Sequence, residues 1–425
     1  APQHTLAIRK TTLWKPCYQV EREGNYMGKR ILTAESVCMG HPDKLCDLIA
    51  DSVLDACLRK DMASRVACEV LATKGRIIVA GEITCSDKID IKSVVRQVLR
   101  SVGYDPMCYK VSIFTQQQSK DISDGVDCAL ERRSGISDPY SSMGAGDQGT
   151  MYGYATSETL EKLPLPLVLS HRIVRRIDQC RKGRLIKGIL PDGKAQVTVE
   201  YNGNKPLRVK TIVVSVHHTP DKTQSQLRDE IITKVIWPCF EDFPIDDDTE
   251  IFVNPSGRFV QGGPDADTGL TGRKIMVDTY GGLALHGGGA LSGKDPTKVD
   301  RSGAYMARYI AKNIVASGLA ESCEVALSYA IGKANPVAVT VRSFGTSGLT
   351  DEELGEIVLK LFDLRPAAII EKLMLYKPIY ADTSVYGHFN SCLFPWEYVD
   401  MYDELRREAD RYGNREDSNG EADSR

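Results

Sequence analysis

Apolar positions change period along this chain. Leu45, Ile49, Val53 and Cys57 recur every fourth residue, with Leu48, Ser52 and Ala56 beside them, which predicts a helix. Gly40-His41 stand before it, Pro42 suits the first helical position, and Asp43 lies where the helix dipole favours an anion. The period falls to two over Val66–Leu71 and Arg76–Ile83, strands separated by Lys74-Gly75. It turns helical again over Ile91–Val102, closed by Gly103, and a third strand follows at Lys110–Thr115.

That order comes back. Glu161–Cys180 reads as a helix, and Gln196–Tyr201 and Arg208–Val216 as strands around Asn202-Gly203-Asn204. Gln224–Ile236 reads as a helix and Glu250–Val253 as a short strand. A third round opens with the helix Val299–Val315, continues in strands near Glu324–Ala330 and Val337–Phe344, and ends in helices near Leu349–Leu361 and Pro366–Leu373. The repeated order predicts three related α+β domains, each a β-sheet with helices on one face, over residues 29–127, 143–259 and 260–398. Residues 1–28 lack periodicity and read as an extension, and the polar stretch 406–425 reads as a disordered tail.

Bulk properties narrow the class. A chain of 425 residues with 42% hydrophobic and 26% charged residues is that of a soluble multidomain protein. A formal net charge of -3 provides no global basic field for nucleic acid. No apolar run reaches the roughly 18–20 residues of a membrane span, and the first residues lack a signal peptide's apolar core. Twelve cysteines without a single C-x-x-C argue against zinc ribbons and redox pairs, and the expected compartment is the cytoplasm.

Glycine-rich, charged segments separate the periodic regions: Gln116–Tyr152, Asn254–Arg273 and Tyr280–Lys298. Loops of that length in a compact protein are usually functional or disordered, and these are rich in Asp, Arg and Lys. His286–Arg301 reads HGGGALSGKDPTKVDR, in which glycines let backbone N–H groups converge while Lys294 and Lys298 add charge. Asp295 and Asp300 are candidate ligands for a hard cation, so the stretch suits a polyphosphate with its metal. Gly288, Gly293 and Lys294 have Walker A spacing, but Asp295-Pro296 stand where that motif needs Ser or Thr. Gly144, Gly146 and Gly149 match G-x-G-x-x-G without the preceding buried strand a dinucleotide fold requires, and Asp147 is that loop's one charge.

His41, Asp43 and Lys44 at a helix start suit a phosphate and its Mg²⁺. Arg258, Asp265, Asp267, Arg273 and Lys274 crowd a second such segment. Glu69 and Glu82 on the first hairpin read as solvent-facing, and Asp192-Gly193-Lys194 as a hairpin turn. The basic run His171, Arg172, Arg175, Arg176, Arg181, Lys182 and Arg184 reads as a solvated or subunit-facing surface, and His217-His218 as structural.

Taken together, GHPDK, VAGEIT, GAGDQG, DGK, GGPDADTGLTGRK and HGGGALSGKDPTKVDRS, followed by YGHF and FPWE, resemble the S-adenosylmethionine synthetase family over Lys29 to Glu397. The resemblance implies three pseudo-threefold related α+β domains, and a homodimer or homotetramer with the active site at the dimer interface. It implies that methionine sulfur attacks the ribose C5′ of ATP and that the released triphosphate is hydrolysed to pyrophosphate and phosphate. A Mg-dependent kinase or polyphosphate hydrolase is the alternative such a site would also serve.

By motif, the resemblance implies that His41, Lys194, Arg273 and Lys294 are catalytic. It places ATP against His41, Asp192, Gly193, Lys194, Arg258, Phe259, Asp267, Arg273, Lys274, Ala290 and Lys294. Methionine would meet Glu82, Gln118, Asp147, Asp267 and Lys298. Asp43 and Asp300 would hold two Mg²⁺ ions and Glu69 a K⁺ ion. The family's gating loop reads Q-S-P-D-I, whereas this chain has Gln118-Ser119-Lys120-Asp121-Ile122, which predicts altered KM or turnover.

Overall fold

The computed structural model describes residues 28–243 and 245–420; the expected extension, apart from Gly28, and residues 421–425 lie outside them. Three helix–strand–strand–helix units recur in the predicted order. In the first, the helix Pro42–Leu58 packs on the hairpin Arg65–Thr73 and Arg76–Thr84. The helix Ile91–Val102 then crosses over to Lys110–Gln116, which pairs in parallel with Arg76–Thr84. Asp90 caps that helix by accepting the Ser93 N–H, and Gly103 ends it at φ 108°, a conformation glycine adopts without strain.

Each sheet is completed by a strand from a different unit. Lys29–Val37 leaves the first unit and pairs antiparallel with Ile189–Asn202, beside Lys205–His218 and Glu250–Val253. Gly149–Thr156 pairs with Ser322–Tyr329, whose other neighbour is Ala338–Arg342. Gly269–Leu270 closes the cycle by pairing with Arg65–Thr73 of the first sheet. The three units therefore interlock cyclically through backbone hydrogen bonds. One apolar core runs behind the first and third sheets, and a second lies between the central sheet and the helix Leu165–Lys182.

Two expectations are corrected. The helix expected over Gln224–Ile236 is α-helical to Ile231, widens to a π-turn over Ile232–Ile236 and stops at Cys239. Pro238 has no N–H for the Lys234 carbonyl, which instead accepts Arg176 Nε at 3.0 Å. The polar stretch after Arg406 belongs to a helix, Tyr402–Gly420. Leu405 and Ala409 are buried, Arg406 Nε donates to the Ser317 carbonyl at 2.7 Å, and Glu408 pairs with Lys360. A narrow apolar stripe thus suffices where tertiary partners await it.

The basic run is largely engaged within the chain. Arg172 pairs with Asp242 at 2.6 Å, Arg175 lies over the Tyr386 ring and Arg181 meets Asp178 at 3.2 Å. His171 is buried against Lys29–Val37, its Nδ1 2.7 Å from Ser36 Oγ. Burial, then Arg175 and Lys44, push its imidazole down to about 3. Because the unfolded ring binds a proton below about 6.5 and the folded ring does so only near 3, the unfolded state takes up more protons across that window. His171 should therefore cost stability as pH falls from about 6.5 toward 3, by about 1.4 kcal/mol per pH unit at most. Denaturant unfolding of the wild type and of His171→Gln at several pH values checks this: the variant should show the shallower dependence.

Candidate active site

The exchanged strands deliver the candidate residues. Lys29–Val37 runs into Cys38–His41, Gly269–Leu270 into Arg273, and Gly149–Thr156 follows the Gly144–Asp147 loop. The Gly144–Asp147 loop meets the Thr297 carbonyl, whereas the first two meet the helix Pro42–Leu58. Asp43, Asp47, Asp51 and Asp55 recur on it every fourth residue, about 6 Å apart, and all are buried. Each accepts a backbone N–H from a distant loop: Asp43 from Leu270 at 3.0 Å, Asp47 from Gly272 at 2.8 Å, Asp51 from Gly293 at 2.8 Å, and Asp55 from Tyr380 at 2.9 Å. The helix acts as a ruler on which the loops are hung.

At its start, His41 caps the helix by accepting the Asp43 N–H on Nδ1 at 3.2 Å. Burial, then the Lys274 charge, push the imidazole down to about 3, so at neutral pH the ring is uncharged. With Nδ1 accepting, its proton sits on Nε2, a donor free of the cap. The approach is held by Tyr104, whose hydroxyl donates to the Gly40 carbonyl at 2.6 Å, and by Asp178, which accepts the Met39 N–H at 3.0 Å. A Cβ on Gly40 would lie 2.4 Å from Pro191 Cβ and 2.5 Å from its carbonyl oxygen. Gly40→Ala should consequently displace His41 and lower turnover at least about tenfold. Steady-state kinetics and an unchanged circular dichroism spectrum would check it.

Asp192-Gly193-Lys194 is not the turn its composition suggests. It runs inside the strand Ile189–Asn202, across a register break between Ile189 and Gly193. The Gly193 carbonyl accepts the Cys38 N–H at 2.9 Å, and Lys194 lies opposite Val37, exposed. Asp192 is buried, takes the Gly263 N–H at 2.8 Å, and is pushed up to about 6 by burial. Phe259 is clamped by His218, which receives its N–H on Nε2 at 3.2 Å and donates its own backbone N–H to the Phe259 carbonyl at 2.9 Å. The histidine pair is structural, as the sequence suggests.

Asp43 faces Lys274 Nζ at 3.1 Å and Arg273 at 3.9 Å. Arg258, Asp267 and Arg273 are exposed. Ala290 abuts Gly272, where an added Cβ would come within 2.5 Å of the Ala290 Cβ.

A second group forms around Lys294, whose Nζ lies 2.6 Å from Asp300 Oδ2. Lys294 bridges Ala67, Ala67 opposes Glu82, and Glu82 opposes Gln116, so these side chains share one face of the first sheet. Glu69 lies two residues along on the same face. Its carboxyl is pushed up chiefly by desolvation, against the pull of Lys294. Gln116, rather than Gln118, reaches Glu82, at 3.2 Å, while the Gln118 N–H meets Thr84 Oγ1 at 3.3 Å. A short helix, Lys120–Asp127, follows. Lys298 pairs with buried Asp295, which also accepts the Val66 N–H at 2.7 Å. Gly146 donates its N–H to the Thr297 carbonyl at 3.2 Å, which brings the Asp147 loop to the base of Lys298.

Among the described residues no ion pair or hydrogen bond joins the His41–Asp43–Lys274 group directly to the Lys294–Asp300 group. No set of three or more His, Cys, Asp or Glu among them forms a metal cage either. Single carboxylates suit Mg²⁺, which takes one or two protein carboxylates and completes its shell with water and substrate phosphates. Asp43 and Asp300 fit that use. Sequence reasoning missed Asp47, Asp51, Asp178, Tyr104 and Arg301; the four-residue spacing of aspartates beside an apolar stripe was the available signal.

Fold and site define a class: an interlocked three-unit α+β protein whose loops set lysine and arginine beside single carboxylates. The chain matches the models of the S-adenosylmethionine synthetase N-terminal domain over residues 29–124, the central domain over 142–259 and the C-terminal domain over 261–398. It is 54% identical over 389 residues to the S-adenosylmethionine synthase of Thermus thermophilus, covering 89% of this chain and 98% of that relative. The protein of that name from Desulforudis audaxviator is 51% identical over the same shares. The chain belongs to the S-adenosylmethionine synthetase family, and its activity is that of a methionine adenosyltransferase.

Proposed function

We propose that the chain forms S-adenosylmethionine by attack of the L-methionine sulfur on the ribose C5′ of ATP, with the whole triphosphate leaving and then being cleaved to pyrophosphate and phosphate. The observation that carries this reading is the pair of matched ion pairs, Asp43 with Lys274 at 3.1 Å and Asp300 with Lys294 at 2.6 Å. Each holds an ammonium ready for phosphate beside a carboxylate ready for a hard cation. A thioether has no proton to lose, so the displacement needs alignment and charge stabilisation rather than a base.

In this reading His41 donates from Nε2 to the departing oxygen as a neutral hydrogen-bond donor. Lys194, Arg273, Lys294 and Lys298 neutralise the triphosphate, and Arg273 serves its hydrolysis. Asp192, Gly193, Arg258, Phe259, Asp267, Lys274 and Ala290 hold the nucleotide. Glu82, Gln118, Asp147, Asp267 and Lys298 surround methionine. Asp43 and Asp300 would each hold a Mg²⁺ ion and Glu69 a K⁺ ion, which would add charge neutralisation for the triphosphate.

Lys194, Arg258 and Arg273 are exposed in the single chain, and the two charged groups are not in direct contact. Both facts support a homo-oligomer, a dimer or tetramer, in which a second copy closes the site. All cysteines among the described residues are free thiols, which supports a cytoplasmic protein, and none of the described helices is long and apolar enough to cross a membrane. Asp43→Asn should lower turnover and shift the Mg²⁺ dependence to higher concentration. Glu69→Gln should weaken K⁺ activation while leaving the Mg²⁺ dependence in place. An Asp43→Asn enzyme with the wild-type Mg²⁺ profile would remove the metal role assigned to that carboxylate.

A further inference from the structure

Lys294 and Arg273 stand on loops bent at left-handed glycines, Gly293 at φ 82° and Gly272 at φ 77°. Such loops need outside restraint to hold a side chain to a fraction of an ångström. The interior supplies one, and it is continuous. Asp51, which takes the Gly293 N–H, makes a bidentate pair with Arg301 at 2.7 and 2.9 Å, and Arg301 also donates to the Lys294 carbonyl at 3.1 Å. Arg301 Nε donates to the Tyr305 hydroxyl at 3.0 Å. Having accepted there, that hydroxyl gives its proton to His388 Nδ1 at 2.7 Å.

Burial, then Arg301 and Lys44, hold the His388 imidazole far below its ordinary range. The ring is therefore neutral and carries its proton on Nε2, which faces Asp278 Oδ1 at 3.7 Å without a hydrogen bond. The His388 backbone N–H closes that gap by donating to the Asp278 carbonyl at 2.8 Å. Asp278 pairs with Lys44, Lys44 with Asp47 at 2.9 Å, and Asp47 takes the Gly272 N–H. Every one of these side chains is buried.

We propose that Tyr305 and His388 are positioning residues that tie the Lys294 loop to the Arg273 loop through the protein interior. Neither can touch substrate, since both are enclosed by the core. Their effect on the reaction runs through the two loops, where a displacement near 1 Å costs about 10²-fold. The inference rests on the phosphate role of Lys294 and Arg273.

The test is a double-mutant cycle on hydrolysis of added inorganic tripolyphosphate, with Mg²⁺ and K⁺ present and phosphate release followed at saturating substrate. Tyr305→Phe should lower kcat about tenfold in the wild type but by a smaller factor, about threefold or less, in the Lys294→Ala and Arg273→Ala backgrounds, because each has already lost one of the two side chains it positions. A merely structural role would lower kcat by the same factor in all three. If Tyr305→Phe proves insoluble, His388→Leu, which removes the acceptor of the Tyr305 hydroxyl, should show the same non-additivity with Lys294→Ala. Equal factors in every background overturn the relay. Near-normal hydrolysis by Lys294→Ala and Arg273→Ala alone instead overturns the phosphate reading on which it rests.

Discussion

Replacing Lys294 with alanine should lower kcat for S-adenosylmethionine formation by about 10²–10³ and leave the fold intact. That range is what one preorganised charge or donor is worth when aimed at charge that develops in the transition state. Lys294 Nζ already sits 2.6 Å from Asp300 Oδ2, in a partly buried position where the charge is less screened than in bulk water. Its loop is fixed from both sides, by Asp51 at Gly293 and by Arg301 at its own carbonyl, so truncating the side chain removes charge without releasing backbone. Rapid-quench kinetics would check it, with kcat for the single turnover falling and KM for methionine changing little. A loss confined to KM would show that Lys294 binds the ground state only.

Asp51→Asn should be the most destabilising single substitution near the site. Asp51 and Arg301 are both fully buried and bidentately paired, and an Asn in place of the carboxylate leaves the guanidinium uncompensated. Breaking such a pair by removing one charge typically costs about 3–5 kcal/mol. The double variant Asp51→Leu/Arg301→Met should recover part of that stability, since apolar side chains of similar volume carry no desolvation penalty. It should not recover activity, because the Gly293 N–H and the Lys294 carbonyl lose their partners. Chemical denaturation paired with steady-state assays separates the two effects.

The sequence conveyed the repeat well, because helices and hairpins are local and their periods are written in adjacent residues. Ile91–Val102, Glu250–Val253 and the start of the helix at Pro42 fall where the pattern places them. The exchanged strands were not legible in the same way. Lys29 pairs with Asn202, and nothing within Lys29–Val37 records a partner so far along the chain. Gly269–Leu270 is too short to carry a period at all.

Site chemistry divides along the same line. Residue types at His286–Arg301 suit a polyphosphate, and the family resemblance added Glu69, Glu82 and Lys194, which as isolated residues look like ordinary surface. The supporting ion pairs stayed hidden because Asp47, Asp51 and Arg301 lie in helices whose charged positions normally face water. Their partners come from more than one unit, so only the assembled fold shows that these charges point inward.

The central claim is that ATP loses its whole triphosphate to methionine sulfur at a site built from the two matched ion pairs. Incubating the purified protein with ATP, L-methionine, Mg²⁺ and K⁺, and quantifying every product, tests it most directly. S-adenosylmethionine, pyrophosphate and phosphate should appear in equal amounts with no ADP. ADP as the nucleotide product, or phosphate release independent of methionine with no sulfonium formed, would contradict it.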